Sequence, residues 1–370
     1  MIIAIYLTFI NLYAFIVYGI DKRKAIKNGK KESERVPSVS AVRRVPEATL
    51  ILLAVIGGAI GALLGMLAFR HKTQKKKFTR TVPALAVLWT AFIVFCLYQN
   101  FHLTVTEYKY EADAECTIVQ ISDLHNQFFG FNEGALLKKI KKCGPDMILV
   151  TGDVVDSGKT DLRLARAFFK GAVKIAPVYY VSGNHDYALM EECVRDAYGE
   201  KKMYDFISGA DSGLMNAIVG DEKCVKQSFG AFLKDIQDAG VVLLDGKTAE
   251  FGDGIILAGA YDNSNLAEYG WEDDPRLKIL LSHDPGMAES YKQSGADLVF
   301  AGHYHGGQIV IPGKGGLLSP NLTFYPNYCG GMYDLGSASM IVSRGLGNSA
   351  LPLRINNYPE IVVVKVGKTE

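Results

Sequence analysis

The hydrophobic positions of the chain are arranged differently before and after about residue 100. Three long apolar stretches, residues 2–20, 48–69 and 82–98, are each about long enough to cross a bilayer core of ~30 Å as a helix. Beyond residue 112 the apolar runs are short and alternate with polar segments. The pattern predicts a membrane domain over residues 1–100, a linker over 101–112 and a folded domain over 113–370.

The first apolar stretch could be a cleaved signal peptide or a retained anchor. No basic segment precedes it, no small-residue cleavage site ends it, and the charged cluster Asp21-Lys22-Arg23-Lys24 comes after it. These features favour an anchor. We therefore expect two or three transmembrane helices in a multi-pass protein of the bacterial cell membrane.

The basic residues near these stretches leave the topology open. Residues 21–47 carry nine Lys and Arg, and residues 70–80 carry six. If the middle stretch spans, these segments lie on opposite membrane faces, against the positive-inside tendency; if it is re-entrant, both stay cytoplasmic. The excess of positive charge before the third stretch favours an extracytoplasmic position for residues 113–370.

In residues 113–370, five short runs rich in Val, Ile, Leu or Tyr read as buried strands, at 116–121, 147–151, 178–182, 278–282 and 298–301. Between the first two, Leu136, Leu137 and Ile140 recur at helical spacing, and a second amphipathic segment follows at 162–169. This strand–helix–strand order indicates an α/β fold.

Each predicted strand runs directly into a polar cluster. Because ligands bind beyond the carboxyl ends of strands in open α/β sheets, we expect these clusters to share one crevice. All five histidines of residues 113–370 fall within these clusters. Histidines with separate structural roles would instead be scattered along the sequence. The clusters are Ser122-Asp123-Leu124-His125-Asn126, Gly152-Asp153-Val154-Val155-Asp156, Gly183-Asn184-His185-Asp186, His283-Asp284 and Gly302-His303-Tyr304-His305-Gly306-Gly307-Gln308.

Charge and cysteine content narrow the chemistry. Residues 1–112 have a net charge of +10 and the remainder −9, so the C-terminal part is acidic and no nucleic-acid partner is expected. The six cysteines form no C-x-x-C pair and no disulfide framework. Asp, Asn and His ligands without thiolates suit Mn²⁺, iron or Zn²⁺. The clusters supply seven candidate ligands, which are enough for two ions if one carboxylate bridges them; this is the usual arrangement for phosphate-ester hydrolysis. The seven are Asp123, His125, Asp153, Asn184, His283, His303 and His305.

These motifs resemble the calcineurin-like metallophosphoesterase family, with D-x-H, G-D-x-x-D, G-N-H-[DE], a later His and G-H-x-H in order over about residues 113–368. The resemblance implies a sandwich of two mixed β-sheets flanked by helices, preceded here by the helical membrane domain. Within the family, Ser343-Arg344-Gly345-Leu346-Gly347-Asn348-Ser349 is similar to bacterial members, some of which act on a lipid-linked nucleotide diphosphate or are wall-associated.

The resemblance also implies a role for each motif residue. One ion would be held by Asp123, His125 and His305, the other by Asn184, His283 and His303, with Asp153 bridging. His185 would face the leaving group as proton donor, and Asp156 and Asp186 would orient the ligands, unless these two are ordinary loop-capping carboxylates. Asp186 stands where the bacterial subgroup usually has Glu.

Residues 1–98 resemble a small bacterial membrane domain of unknown function. The resemblance rests on Tyr18-Gly19-x-Asp21-Lys22-x-Lys24-Ala25, Gly57-Gly58-x-x-Gly61-Ala62 and Phe69-Arg70-His71-Lys72-Thr73. It implies contact with the bilayer and nothing about chemistry.

The sequence as a whole predicts a membrane-anchored phosphoesterase that cleaves a phosphodiester, phosphomonoester or pyrophosphate bond with a metal-activated water. Its substrate could be lipid-linked or envelope-derived, or a soluble nucleotide, and the oligomeric state stays open. The rival interpretations are a catalytically idle scaffold, which usually loses ligands, and a transporter or sensor, for which the helices carry few acidic residues. The segment 199–229 is longer than expected, and we interpret it as a surface insertion in preference to a lid.

Overall fold

The computed structural model describes residues 2–33, 42–158, 161–210, 214–260, 269–271, 273–320, 322–348 and 354–368. The chain divides into two compact units, Met1–Tyr98 and Gln99–Glu370. Each unit has its own hydrophobic core.

The N-terminal unit is helical. It contains α1 (Ile2–Ser33), α2 (Glu47–Leu53), a π-helical turn (Ala54–Gly58), α3 (Ala59–Ala68) and α4 (Lys76–Phe101), which runs on into the second unit. Within the described part of the chain, the segments Glu47–Ala68 and Lys76–Phe101 are long and apolar enough to cross a membrane. The first predicted stretch, residues 2–20, lies within α1.

The C-terminal unit contains two six-stranded mixed sheets flanked by helices, which confirms the predicted fold class. The first sheet has the order β1-β14-β2-β3-β4-β5 and the second the order β12-β13-β9-β8-β7-β6. The strands are β1 (Thr104–Glu111), β2 (Cys116–Ile121), β3 (Met147–Thr151), β4 (Val178–Val181), β5 (Val241–Leu243), β6 (Thr248–Phe251), β7 (Ile255–Gly259), β8 (Leu277–Leu281), β9 (Leu298–Ala301), the short pair β10 (Val310–Ile311) and β11 (Gly315–Gly316), β12 (Gly331–Asp334), β13 (Ser339–Val342) and β14 (Glu360–Gly367).

Helices cover the outer face of the first sheet. Their buried side chains share one core with alternate strand residues such as Val119, Ile148 and Tyr180. The helices are α5 (Gly134–Cys143), α6 (Leu162–Ala172), α7 (Asn184–Tyr198), α8 (Glu200–Ala210), α9 (Leu214–Gly220), α10 (Glu222–Val225) and α11 (Ser228–Asp238), with α12 (Ala288–Tyr291) following β8.

The two sheets pack face to face. Strands of the first sheet contact the helices with one face and the second sheet with the other. Ile118 and Leu149 of the first sheet share a fully buried core with Ile279 and Phe300 of the second. Because strand side chains alternate between faces, β2 and β3 contribute to both the helical core and the inter-sheet core. This explains why they read as uninterrupted apolar runs in the sequence.

All five predicted strands are present, as β2, β3, β4, β8 and β9. In the first sheet β2, β3 and β4 are parallel neighbours, and in the second β8 and β9 are parallel neighbours. The polar clusters therefore follow the carboxyl ends of two groups of parallel strands. Their convergence depends on how the two sheets pack, which places these ends together.

The segment predicted as a linker, residues 101–112, is instead part of the first sheet. It contains β1, which pairs in parallel with β14 along its full length, from Thr104 opposite Glu360 to Glu111 opposite Gly367. Its alternating half-buried and exposed residues are those of an edge strand, and their polarity gives a linker-like composition.

Residues 199–229 are also more integrated than a surface insertion would be. Helices α8 to α11 bury Met203, Leu214, Ile218 and Phe229 in the core that lies on the first sheet. The segment therefore extends the helical layer. Residues 211–213 of this segment lie outside the described residues.

Candidate metal centre

Five of the seven predicted ligands have left-handed backbone conformations. Asp123, His125, Asp153, His303 and His305 have φ values of 52°, 45°, 52°, 66° and 48°. Such conformations are uncommon for residues with a side chain and cost on the order of 1–3 kcal/mol each. They occur where a strand has just ended and the chain turns sharply, which points successive side chains into one place.

A first group of potential ligands consists of Asp123, His125 and His305. Their ligand atoms all lie within 4.8 Å of one another, and all three residues are buried. The Nε2 atoms of His305 and His125 lie 3.5 and 3.9 Å from Asp123 Oδ1. The structure thus brings together the three residues assigned by resemblance to one ion.

A second group consists of Asp153, His283 and His303, also buried and within 4.8 Å. His283 Nε2 lies 3.3 Å from Asp153 Oδ2 and 3.2 Å from His303 Nδ1. His283 Nδ1 lies 2.7 Å from the backbone oxygen of Thr151, to which it donates. In the neutral ring, that hydrogen bond leaves His283 Nε2 as the atom with a lone pair facing the group.

Asp153 connects the two groups. Its Oδ2 is 3.4 Å from His125 Nε2 and 3.3 Å from His283 Nε2. Its Oδ1 accepts a hydrogen bond of 2.8 Å from the backbone N–H of His185. One carboxylate oxygen therefore faces an imidazole from each group, which is the position required of a bridging ligand.

The predicted ligand Asn184 is the first residue of α7 and is exposed. Its neighbours on both sides contact Asp153, since a Cβ added at Gly183 would lie 2.2 Å from Asp153 Oδ1. His185 lies at the edge of the site, with its ring centroid 4.8 Å from that of His125 and nearly perpendicular to it. With His125 and Asp153, His185 forms a third group of ligand atoms within 4.8 Å.

The donor set fits metal ions better than it fits a network of hydrogen bonds. Among the described residues, neither ring nitrogen of His125 has a hydrogen-bond partner, although both are buried, and the same holds for His305 Nδ1. Buried polar atoms are normally paired, so several unpaired imidazole nitrogens in one place point to a ligand. Their mixture with carboxylates suits a divalent cation.

Burial and mutual charge set the protonation of these residues. Burial lowers the pKa of His125 to about 4 and lowers that of His303 to about 4. Burial would also lower the pKa of His283, but the facing Asp153 carboxylate outweighs it and raises that pKa to about 10. Burial raises the pKa of Asp123 to about 6. At neutral pH His125 and His303 are therefore neutral, as metal ligands must be.

The carboxylate of Asp186 holds the loops that carry the ligands. Its Oδ2 accepts hydrogen bonds from the backbone N–H groups of Asp153, at 2.7 Å, and Gly183, at 2.9 Å. Asp156 Oδ1 lies 3.7 Å from His185 Nδ1 and accepts from the backbone N–H of Gly158. The structure thus places both predicted orienting carboxylates beside ligand-bearing segments.

Several supporting residues were not predicted from the sequence. Ser122 Oγ donates to Asp123 Oδ2 at 2.6 Å, and Ser157 Oγ lies 2.9 Å from His185 Nδ1. Asn357 Nδ2 donates to the backbone oxygen of His305 at 2.7 Å. Ser122 and Ser157 stand beside motif residues in the sequence, whereas the position of Asn357, 52 residues from His305, is decided by the fold alone.

Close approach of the backbone explains a glycine that precedes a ligand motif. A Cβ at Gly302 would lie 2.4 Å from Asp123 Oδ2 and even closer to Ser122 Oγ. Any side chain at this position would displace the carboxylate. The backbone N–H of the next residue, His303, instead donates to both carboxylate oxygens of Asp123, at 3.1 Å each.

The fold and these residue groups define an α/β protein with a candidate metal site. The chain belongs to the calcineurin-like phosphoesterase family, which matches residues 116–307, slightly more than half of its length. Residues 11–78 match a second family, described as a protein of unknown function (DUF1294). The family resemblances drawn from the motifs are thus confirmed.

Three relatives illustrate how the two parts are shared. The uncharacterized metallophosphoesterase YkuE of Bacillus subtilis is 29% identical over 68% of this chain and 79% of its own. The uncharacterized metallophosphoesterase Cj0846 of Campylobacter jejuni is 23% identical over 98% of this chain and 91% of its own. The uncharacterized protein YsdA of Bacillus subtilis is 42% identical over 28% of this chain and 100% of its own.

Proposed function

We propose that this chain is a membrane-anchored phosphoesterase that hydrolyses its substrate at a dinuclear metal site. The observation that carries the proposal is the position of Asp153 Oδ2, 3.4 and 3.3 Å from the imidazoles of two separate ligand groups. One group, Asp123, His125 and His305, would hold one ion. The other, His283 and His303 with Asn184, would hold the second, with Asp153 shared.

Two divalent ions, when bound, polarise a phosphoryl group and lower the pKa of a water molecule so that it can act as a nucleophile near neutral pH. The ligand residues would hold the ions in place, and burial keeps His125 and His303 neutral. No serine or cysteine nucleophile is required. The bond cleaved is a phosphodiester, a phosphomonoester or a pyrophosphate.

We assign His185 the role of proton donor to the leaving group. Its Nδ1 accepts from the backbone N–H of Ser157 at 3.2 Å, so in the neutral ring the proton resides on Nε2. The side chain is about one-fifth exposed. A partly exposed imidazole at the edge of the site is suited to general-acid catalysis.

The first test is removal and restoration of metal. The full-length protein in detergent is treated with a chelator, assayed with an aryl phosphodiester, and reassayed after addition of Mn²⁺. We expect activity to be lost and then restored. Hydrolysis that survives complete chelation contradicts the proposal, and a protein that binds Mn²⁺ but hydrolyses no substrate supports the idle scaffold instead.

The second test separates the bridge from the proton donor. Asp153→Asn removes the charge shared by both ligand groups, so we expect less than one ion per chain. His185→Asn leaves all seven proposed ligands in place, so we expect near-normal metal content and a kcat lower by about 10²–10⁴. Metal content is measured by elemental analysis. Equal metal loss in both variants would place His185 among the ligands.

We base a proposal for the substrate class on the proposed membrane attachment and on exposed apolar side chains of the C-terminal unit. Exposed apolar side chains stand on the segments that follow two ligand motifs, with Phe128 and Phe131 51% and 85% exposed, and Leu322 and Phe324 74% and 70% exposed. Apolar side chains exposed in this way suit contact with lipid. These observations favour a lipid-linked or envelope-derived phosphate ester over a soluble nucleotide, and the acidic C-terminal part disfavours nucleic acid.

A further inference from the structure

The apolar segment Glu47–Ala68 has the length and composition of a membrane span, yet its two ends lie together. Tyr18 of α1 contacts both arms of the segment. Its hydroxyl donates to the backbone oxygen of Leu50 at 3.3 Å, and a Cβ added at Gly65 would lie 2.9 Å from Tyr18 Cβ. In a straight helix these two residues would be ~22 Å apart, at 1.5 Å per residue. One tyrosine cannot contact both unless the segment folds back.

The residues that flank the segment confirm this geometry. The buried carboxylate of Asp21 accepts a hydrogen bond from the backbone N–H of Val45 at 3.0 Å, before the segment, and lies 2.8 Å from His71 Nε2, after it. Glu47, the first residue of the segment, pairs with Lys72 at 2.7 Å, beyond its end. The entry and the exit of the segment therefore share one set of ion pairs.

The reversal occurs at Gly57. Ile56 and Gly57 leave the helical region, and Gly57 has φ 112°, which favours glycine. Asn11 of α1 satisfies the backbone there, since its side chain donates to the oxygen of Gly57 at 2.9 Å and accepts from the N–H of Gly61 at 2.7 Å. In an apolar environment each unpaired backbone group would cost several kcal/mol, so this asparagine makes the turn compatible with a bilayer.

The turn lies at about half the depth of a bilayer. Asn11 is ten residues before Asp21 on α1, or ~15 Å along the helix axis, and the hydroxyl of Tyr6, five residues further, donates to the oxygen of Ile56. The turn therefore reaches ~15–22 Å from the charged end, short of the ~30 Å of a hydrocarbon core. In α4 the indole of Trp89, ~20 Å along the helix from Lys76, donates to the oxygen of Val55 at a matching depth.

Exposure distinguishes this hairpin from α4. Of the apolar window in Glu47–Ala68, 56% is buried within the protein, against 17% of that in Lys76–Phe101. A hairpin enclosed by α1 and α4 is expected to be buried, whereas a helix that faces lipid is not. Helix α1 also presents exposed apolar side chains along its length, among them Ile5, Phe9 and Leu12 at 57%, 65% and 56%.

From these contacts we infer that α2 and α3 form a re-entrant hairpin, that only α1 and α4 cross the membrane, and that residues 99–370 lie on the extracytoplasmic side. The hairpin places the described basic residues on either side of it, within 21–33, 42–47 and 70–80, at one membrane face. Exposed cations at this face include Arg23, Lys27, Arg70 and Lys76. By the positive-inside tendency this face is cytoplasmic, against the anionic headgroups of that leaflet. The last residues of α4 then emerge on the other side. The inference goes beyond the proposed phosphoesterase function and does not depend on it.

The test uses full-length protein in intact cells and an impermeant maleimide, with labelled sites identified by peptide mass spectrometry. Four of the six native cysteines are buried and two, Cys143 and Cys329, are half-buried, so any label on these two is recognised by its peptide. Lys27→Cys and Lys76→Cys report on the two basic segments, and Lys368→Cys, whose native side chain is 73% exposed, reports on the C-terminal unit. We expect Lys368→Cys to label in intact cells, and the other two to label only after permeabilisation.

Two outcomes would overturn the inference. Lys27→Cys and Lys76→Cys labelling in opposite compartments would show that the segment spans, and labelling of both in intact cells would reverse the orientation. Phosphoesterase activity is assayed on the same variants, none of which replaces a proposed metal ligand. Loss of metal-dependent hydrolysis alongside the expected labelling would count against the proposed function and leave the topology intact.

Discussion

At the residue scale, the candidate metal centre depends on ligands whose orientation is fixed by hydrogen bonds to the backbone. Asp186 is the clearest case, because one of its oxygens accepts from the N–H groups of both Asp153 and Gly183. Replacing it with alanine leaves two buried N–H groups unpaired, each at about 1–3 kcal/mol. The bridging carboxylate then loses its support although no ligand is removed.

We therefore expect Asp186→Ala to lower Mn²⁺ affinity by about 10–100-fold, the range usual for partners of metal ligands. Isothermal titration of the apo-protein measures it. Asp238→Ala, at a side chain 61% exposed, is the matched control and should leave the affinity unchanged. If the Mn²⁺ affinity of Asp186→Ala were unaltered, the role of this carboxylate would be limited to capping α7.

The protonation of His283 makes a prediction about pH. Although burial lowers the pKa of His283, the Asp153 carboxylate raises it to about 10, so the apo-protein holds this ring protonated at neutral pH. A metal ligand must be deprotonated, so binding expels that proton. Asp123, whose pKa burial raises to about 6, is already ionised above pH 7.

Between pH 7 and 9 we accordingly expect Mn²⁺ affinity to rise about tenfold per pH unit, with about one proton released per chain. The measurement is titration calorimetry in two buffers of different ionisation enthalpy. Affinity that does not vary with pH over this range would mean that His283 is neutral before the metal binds.

At the element scale, residues 354–357, which precede β14, support two of the ligand-bearing loops. The buried guanidinium of Arg354 donates to the backbone oxygens of Arg344 and Gly347, and Asn357 donates to that of His305. The N–H of Gly347 in turn donates to the backbone oxygen of Asp123. This segment is therefore coupled to the first ligand group through the backbone.

Asn357→Ala removes the hydrogen bond to the His305 carbonyl, and we expect Mn²⁺ affinity at one of the two sites to fall by about tenfold with the fold intact. The adjacent Asn356→Gly removes the side-chain contact with Val310, tolerates the left-handed backbone at this position (φ 53°), and is the matched control. Metal titration and circular dichroism of the two variants provide the comparison. Similar affinities in both would argue that the His305 loop holds its position without Asn357.

At the scale of the whole molecule, metal binding is expected to contribute to stability. Five buried ligands adopt strained left-handed conformations, and several of their polar atoms are unpaired. A ligand that binds only the folded state stabilises it by ~2.7 kcal/mol at 100 times its Kd. We expect saturating Mn²⁺ to raise the Tm of the C-terminal unit by several degrees, as measured by differential scanning calorimetry. Asp153→Asn should lose most of this shift.

The sequence by itself determined the elements and the chemistry. Apolar runs identified β2, β3, β4, β8 and β9 because strands buried on both faces need an apolar side chain at every position. The clusters after them supplied the ligand types, since an imidazole or a carboxylate has the same donor atoms in any fold. The length and composition of the apolar stretches likewise indicated segments long enough to span a membrane.

Only the tertiary structure decided which residues meet. The pairing of β1 with β14 joins residues that are about 250 positions apart, and an edge strand of polar composition gives no local sign of it. The role of Asn357 depends on a contact across 52 residues. The reversal at Gly57 depends on Asn11, because an apolar segment of 22 residues has the same composition whether it crosses or turns back. Hydrophobicity specifies burial, while direction in space is set by the contacts that satisfy the backbone.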